Sequence, residues 1–489
     1  MSQAIVGAGV ETLAALIGGE RRLARSGETI DALNPSTGEV IARIPRCRAE
    51  DVADAVEAAK GAFPAWQAMP PNGRAACLYR LADAIEADGD ELAHLDVTDN
   101  GSPIQEMRKD VGVSVAQLRY FAGLALQVRG ETIPSSHDRL DYTLRQPYGV
   151  VGRLIPFNHP LMFAATKIAA PLVTGNTVVL KPSEHTSLSV LRLAEHIQHI
   201  FPAGVVNVVT GYGPEAGDAL VAHPDVRRLA FIGLEETGRR IQARAASVAV
   251  KHVTLELGGK NPVVVLPDAD LDQAVDGAVR GMNFTWQGQS CGSTSRLIVA
   301  EEIREEFVGR LTERVTSLRS GLPWEERTDT GSIVNQAQFE KVMRYVALGR
   351  DEGARLLAGG TRAEDPELAK GLFVRPAVFD GVRPEMRLAQ EEIFGPVLAV
   401  LGAGDYDDAL RIANGVRFGL TASIFTRDLA TAHRFARDVE AGYVWVNDTS
   451  RHFLGTPFGG FKDSGIGREE DLGELLSYTQ IKNVNVRFE

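Results

Sequence analysis

From Gly149 to Gly233 the sequence repeats one pattern: a short apolar run, a turn rich in proline or glycine, then a segment with helical spacing. Gly149–Ile155 runs into Pro156-Phe157-Asn158-His159-Pro160 and a helical segment from Leu161. Thr177–Leu180 runs into Lys181-Pro182-Ser183-Glu184 and a second helical segment, and Val205–Val209 runs into the glycine-rich stretch Gly211–Gly217. Arg228–Ile232, ending at Gly233, adds a fourth strand. Runs apolar on both faces and joined by helices predict a parallel, doubly wound α/β sheet, whose ligands sit at the carboxyl ends of the strands.

The rest of the chain is organised around this sheet. At 489 residues it is too long for one core. Ile30–Ile44 carries the turn signal Asn34-Pro35-Ser36-Thr37-Gly38-Glu39 and predicts a hairpin. Helices are predicted over Ala49–Gln67, Asn72–Gly89 and Gln105–Gln127, from apolar residues three and four apart. Glu131–Gln146 alternates and predicts a projecting strand pair, and the tail from Glu474 alternates toward Phe488 as a sheet-edge strand. A second α/β series starts near Leu257, with strands at Val263–Leu266, Leu297–Val299 and around Val374, Val397 and Val444.

A net charge of −12 argues against binding nucleic acid through the overall field. The three cysteines, Cys47, Cys77 and Cys291, have no metal-ligand spacing, which favours a reducing compartment and no structural metal. Cys77 reads as helix core. Glu11 interrupts the amino-terminal apolar run and no basic segment precedes it, so neither a signal peptide nor a membrane span is predicted, and the cytoplasm is the expected location. Ile5-Val6-Gly7-Ala8-Gly9-Val10 lacks the third glycine of a dinucleotide fingerprint and reads as a decoy.

One cysteine stands apart. Cys291 lies in Gly288-Gln289-Ser290-Cys291-Gly292-Ser293-Thr294, where small and hydroxyl residues leave the sulfur reachable and offer backbone N–H groups nearby. With Pro156-Phe157-Asn158, Lys181-Pro182-Ser183-Glu184, Glu256-Leu257-Gly258-Gly259-Lys260, Glu391-Glu392-Ile393-Phe394-Gly395-Pro396 and Pro457-Phe458-Gly459-Gly460-Phe461-Lys462, it forms an ordered set. That set resembles the signatures of the NAD(P)-dependent aldehyde dehydrogenase superfamily, in order across almost the whole chain, with a looser likeness to aromatic and carboxybenzaldehyde dehydrogenases.

The resemblance implies an aldehyde dehydrogenase-like α/β fold. It consists of a Rossmann-type doubly wound cofactor domain (1–127 and 147–256), an α/β catalytic domain (257–455) and a small β oligomerisation element (128–146 and 470–489). It implies Cys291 as nucleophile, Glu256 as the base that activates water, and Asn158 with the Cys291 N–H as oxyanion hole, with Lys167 and Glu469 on a proton path. Cofactor contacts are implied at Ile155, Pro156 and Phe157, and at Lys181, Ser183 and Glu184. They are implied again at Gly213 and Gly217, at Phe231, Gly233 and Thr237, and at Leu257, Gly258, Glu392 and Phe394. Glu184 would repel a 2′-phosphate, so NAD is expected over NADP. An exposed alternating strand pair needs cover, so a homodimer or homotetramer is expected, with a small-molecule aldehyde and neither nucleic acid nor membrane as partners.

Two departures qualify this picture. Leu234 and Glu235 replace the hydroxyl residues usual after Gly233, and Glu235 with Glu236 adds negative charge where a pyrophosphate would lie. The 35 positions from Glu256 to Cys291 are one more than usual, to be absorbed as a bulge over Asn283–Gln287. Trp286, His159, Met162 and Phe163 are candidates for a wall around an aromatic aldehyde, and Arg451 and His452 for contacts to a substrate carboxylate; packing and solvation are the plain alternatives. Two rivals remain: a coenzyme A-acylating semialdehyde dehydrogenase, disfavoured by Glu256, and a catalytically silent relative, disfavoured by Cys291, Glu256 and Asn158.

Overall fold

The computed structural model describes residues 10–488, so all of Ile5–Val10 except its last residue falls outside it. The predicted doubly wound sheet is present. Its parallel strands lie in the order His252–Leu257, Val226–Gly233, Val150–Leu154, Thr177–Lys181, Val206–Val208. Side chains alternate across the pleat, so Val178 joins one buried core and Val179 another on the opposite face. From Val150–Leu154 the chain winds outward one way, then returns to the other side with Val226–Gly233. The crevice at that reversal opens between Ile155-Pro156-Phe157-Asn158 and Gly233-Leu234, where such sheets bind ligands.

Antiparallel strands extend both edges: Ala15–Ile17 and Glu20–Arg22 on one side, Gly465–Ile466 on the other. The latter pairs Gly465 with Glu256, which is paired on its other side with Ile232. Glu256 is thereby fixed between two strands from distant parts of the chain.

The hairpin forms from Thr29–Leu33 and Val40–Pro45. The predicted helices occupy Ala49–Ala68, Pro71–Ala87 and Ile104–Gly123, the last followed by a single turn over Ala125–Gln127. An unpredicted helix, Gly89–Asn100, ends at Gly101 with φ of 85°, a conformation glycine adopts without strain.

The second sheet has seven strands, in the order Arg355–Ala358, Ala377–Asp380, Val397–Ala403, Arg296–Ala300, Pro262–Val265, Thr421–Phe425, Tyr443–Val446, all parallel but the first. The strand expected around Val374 is displaced. Val374 makes one isolated bridge to Arg362, and the strand begins after Pro376, which has no N–H to give a ladder. In a third sheet Arg139–Pro147 pairs with Thr132–Ile133 on one side and with the tail, Thr479–Arg487, on the other. No helix among the described residues is long and apolar enough to cross a membrane.

Candidate active site

The thiol loop joins the helix Leu271–Gly281 to the strand Arg296–Ala300. The stretch expected to bulge forms one tight helical turn, Phe284–Trp286, between Asn283 and Gln287 at φ of 52° and 54°. Gly288 follows at φ of 67°, where a Cβ would lie 2.3 Å from the Gly395 carbonyl oxygen; only glycine fits. Asn261 Nδ2 donates to the carbonyls of Cys291 (2.8 Å) and Ser293 (3.0 Å), fixing the loop from the second sheet. Cys291 itself is half-buried.

Cys291 and Glu256 line one cavity of about 280 Å³. Glu256 is 5% exposed and its Oε1 has no hydrogen-bond partner. Burial, and then the charge of Glu469, push its carboxyl up to about 8, against a hydrogen bond with the Cys291 thiol and the charge of Lys167. Burial and the nearby Glu256 carboxylate push the Cys291 thiol well above its usual value. Asn158 is buried beside them with Oδ1 unpartnered, and Asn100 Nδ2 holds its backbone by donating to the carbonyls of Phe157 (2.6 Å) and Asn158.

Lys167 and Glu469 form an ion pair at 2.8 Å. Sequence reading missed their partner Arg153, fully buried in the first sheet and 2.8 Å from Glu469. Burial alone would raise Glu469, but the Arg153 and Lys167 charges outweigh it and hold the carboxyl down to about 2. Glu470, also missed, lines the cavity with Oε1 3.8 Å from Lys167 Nζ and Oε2 3.4 Å from His452 Nδ1.

A second cavity, about 80 Å³, touches Cys291 and Glu256 from the side of the sheet crevice and is lined by Pro156, Phe157, Gly233, Gly258, Glu392 and Phe394. The Phe157 and Phe394 rings meet edge-on at 5.7 Å. Glu392 Oε1 accepts from the Gly259 N–H at 3.0 Å, and a Cβ on Gly258 would fall 2.1 Å from Oε2, so this glycine admits the carboxylate. Gln338, which no motif flagged, also lines this cavity and donates to the carbonyls of Ile393 and Phe394.

The other implied cofactor residues line neither cavity. Lys181 ends its strand with Nζ 2.8 Å from the Pro182 carbonyl and 3.3 Å from Glu184, and its charge holds Glu184 below the usual carboxylate range despite burial. Ile155 bonds through its N–H to the Lys181 carbonyl, and Ser183 accepts from the Ser187 hydroxyl. Gly213 and Gly217 bound one wide turn after Val206–Val208. Phe231 crowds Gly233, Leu257 packs against Gly238, and Thr237 is exposed on its helix.

One expectation is corrected. Glu235 does not stand as a free negative charge: it is buried against Arg239 and Arg417, the latter at 2.8 Å. Of the pair offered for a substrate carboxylate, Arg451 follows the plain alternative of solvation, largely exposed and leaning on Asp448 at 3.6 Å, while His452 lines the cavity.

Acceptor carboxylates, an apolar slot between aromatic rings and a lysine at a strand end suit the hydroxyls, nicotinamide and ribose of a dinucleotide. Doubly wound sheet, crevice and adjoining thiol together mark an α/β oxidoreductase. The chain belongs to the aldehyde dehydrogenase family, whose model matches residues 23–484. It is 46% identical over 463 residues to aldehyde dehydrogenase tropH of Talaromyces stipitatus, covering 93% of this chain and 90% of that one. It is 43% identical over 469 residues to the mitochondrial aldehyde dehydrogenase of Rattus norvegicus, covering 94% and 89%. A solved NAD+ complex of aldehyde dehydrogenase from Bacillus cereus superposes with a TM-score of 0.95 at 41% identity, covering 98% and 97%.

Proposed function

We propose that this chain oxidises an aromatic aldehyde to its carboxylate with NAD+ through a thioester on Cys291. The observation that carries the reading is the smaller cavity, lined together by the Cys291 thiol, the Glu256 carboxyl, which has one oxygen unpartnered and is pushed up to about 8, and the buried Asn158. Cys291 Sγ adds to the carbonyl carbon as its proton passes to Glu256. Asn158 Nδ2 and the Cys291 N–H donate to the oxyanion; losing one such donor commonly costs 10²–10³ in rate, about 2.7–4 kcal/mol. The dinucleotide, when bound, accepts the hydride that leaves this carbon. Glu256 sheds that first proton to solvent, takes another from water as the water attacks the thioester, and passes it to the departing Cys291 sulfur, which restores the thiol while the acid released ionises to the carboxylate. The sum is aldehyde, water and NAD+ giving carboxylate, NADH and two protons.

Glu256 in the thiol cavity favours water over coenzyme A as acceptor. Glu184 beside Lys181 favours NAD+ over NADP+, because it accepts from ribose hydroxyls and repels a 2′-phosphate. Phe163, Trp286 and Phe458 give the cavity flat walls suited to an aromatic ring.

The test is NADH appearance with NAD+ and a panel of aromatic and aliphatic aldehydes. Turnover should rise with pH through about 8, since the base acts only when deprotonated, and fall to roughly a hundredth of its plateau two units lower. A flat profile between pH 6 and 9 would remove Glu256 as the base.

The three-stranded sheet supports a homodimer or homotetramer. Its edge strand Thr479–Arg487 is largely exposed, with Ile481 at 64% and Val486 at 37%. Light scattering of the purified chain at the mass of one subunit would rule this out.

A further inference from the structure

The thiol cavity is more polar than an aromatic ring alone requires. The helix Ile104–Gly123 turns Asp110, Val113 and Gln117 toward it, at spacings that place them on one face. Asp110 is 3% exposed, and one carboxylate oxygen accepts from His159 Nδ1 at 2.7 Å; the other takes no hydrogen bond among the described residues. The other ring nitrogen of His159, Nε2, makes no hydrogen bond among the described residues, a second polar atom free for a ligand. Gln117 is 7% exposed with Oε1 unpartnered, a third. Trp286, whose ring lies tilted 5.3 Å from that of His159, supplies the complementary group: a buried indole N–H with no acceptor. Buried polar atoms are normally paired, yet Gln117 Oε1 and Trp286 Nε1 are buried without a partner, and both residues line the same cavity as Asp110 and His159.

We propose that Asp110, His159, Gln117 and Trp286 are specificity-determining residues that select aldehydes bearing a hydroxyl on the aromatic ring. This rests on the dehydrogenase reading above and names its substrate class. A hydroxyl is the small neutral group that both donates and accepts, so it answers the acceptor set and the indole N–H together. A methoxy group only accepts and a methyl group does neither. A substrate carboxylate meets Asp110, Glu469 and Glu470 in the same cavity. The cations there are engaged, Lys109 with Glu106 at 2.9 Å and Lys167 with Glu469 at 2.8 Å. Sites built to bond a hydroxyl reject the analogue lacking it far more strongly than apolar pockets reject a change of size.

The experiment is calorimetric titration of the Cys291→Ala protein, which binds without turnover, with 2-, 3- and 4-hydroxybenzaldehyde, their methoxy counterparts, benzaldehyde and 4-carboxybenzaldehyde. At least one hydroxybenzaldehyde is expected to bind tenfold or more tighter than its methoxy counterpart and than benzaldehyde, with the carboxylate weakest. In Asp110→Asn the amide oxygen keeps the His159 bond and an N–H replaces the free acceptor, so the hydroxyl preference should shrink at least threefold. Equal affinities for every hydroxy and methoxy pair overturn the proposal, whether or not Asp110→Asn folds. Absence of wild-type turnover with all of these aldehydes would instead count against the dehydrogenase reading, because binding is read separately.

Discussion

Glu256→Gln should release one NADH per subunit in a rapid burst and then nearly stop. Hydride leaves before water is needed, and without the Glu256 charge that raises the Cys291 thiol the thiol can lose its proton to solvent, so the first half-reaction survives. The second half-reaction loses the group that deprotonates water, and general-base contributions of about 10²–10⁴-fold set the fall in steady-state rate. The substitution is nearly isosteric at a site fixed between Ile232 and Gly465, so the strand pairing is retained. Stopped-flow absorbance at the NADH band separates burst from steady state. A loss of burst and steady state in equal proportion would place Glu256 in the first step alone.

Cys291→Ala should abolish both phases, lowering turnover by on the order of 10⁴-fold or more, as removal of an enzyme nucleophile does. Neither other cysteine can take over. Cys47 and Cys77 are buried in the cores around the first sheet, and burial pushes the Cys47 thiol up to about 11. The lost thiol hydrogen bond also removes an interaction that lowers the Glu256 pKa, so that carboxyl should titrate higher still in the variant. Residual turnover above about a hundredth of wild type would mean that the aldehyde is oxidised without covalent attachment.

The parallel sheet was legible because each strand is a short apolar run ended by a proline or glycine turn, and those turns sit at the crevice. The thiol loop was legible for the opposite reason: an apolar core cysteine does not sit among glycines and serines. Thr421–Phe425 escaped notice although it lies inside the second sheet, since Thr-Ala-Ser-Ile-Phe shows neither clear alternation nor a strong apolar run. Val374 has β propensity, but Pro376 delays the strand.

Side-chain direction was the harder part. Arg451 and His452 are neighbours in sequence, yet one leans on Asp448 at the surface and the other lines the cavity. The Arg153–Glu469 pair joins residues 316 positions apart, so an arginine inside an apolar strand gives no hint of its partner. Asp110 and Gln117 fall inside the helix predicted over Gln105–Gln127, but only the packing of that helix shows their face lining the cavity. Glu235 looked hostile to a phosphate until Arg417, 182 positions on, came to rest against it.

The most direct test of the covalent mechanism is peptide mass spectrometry of Glu256→Gln quenched after mixing with NAD+ and an aromatic aldehyde. The expected result is an acyl adduct on the peptide containing Cys291, in amounts matching the NADH burst, with Cys47 and Cys77 unmodified. An unmodified Cys291 in protein that has produced its burst of NADH would contradict the thioester and the account built on it.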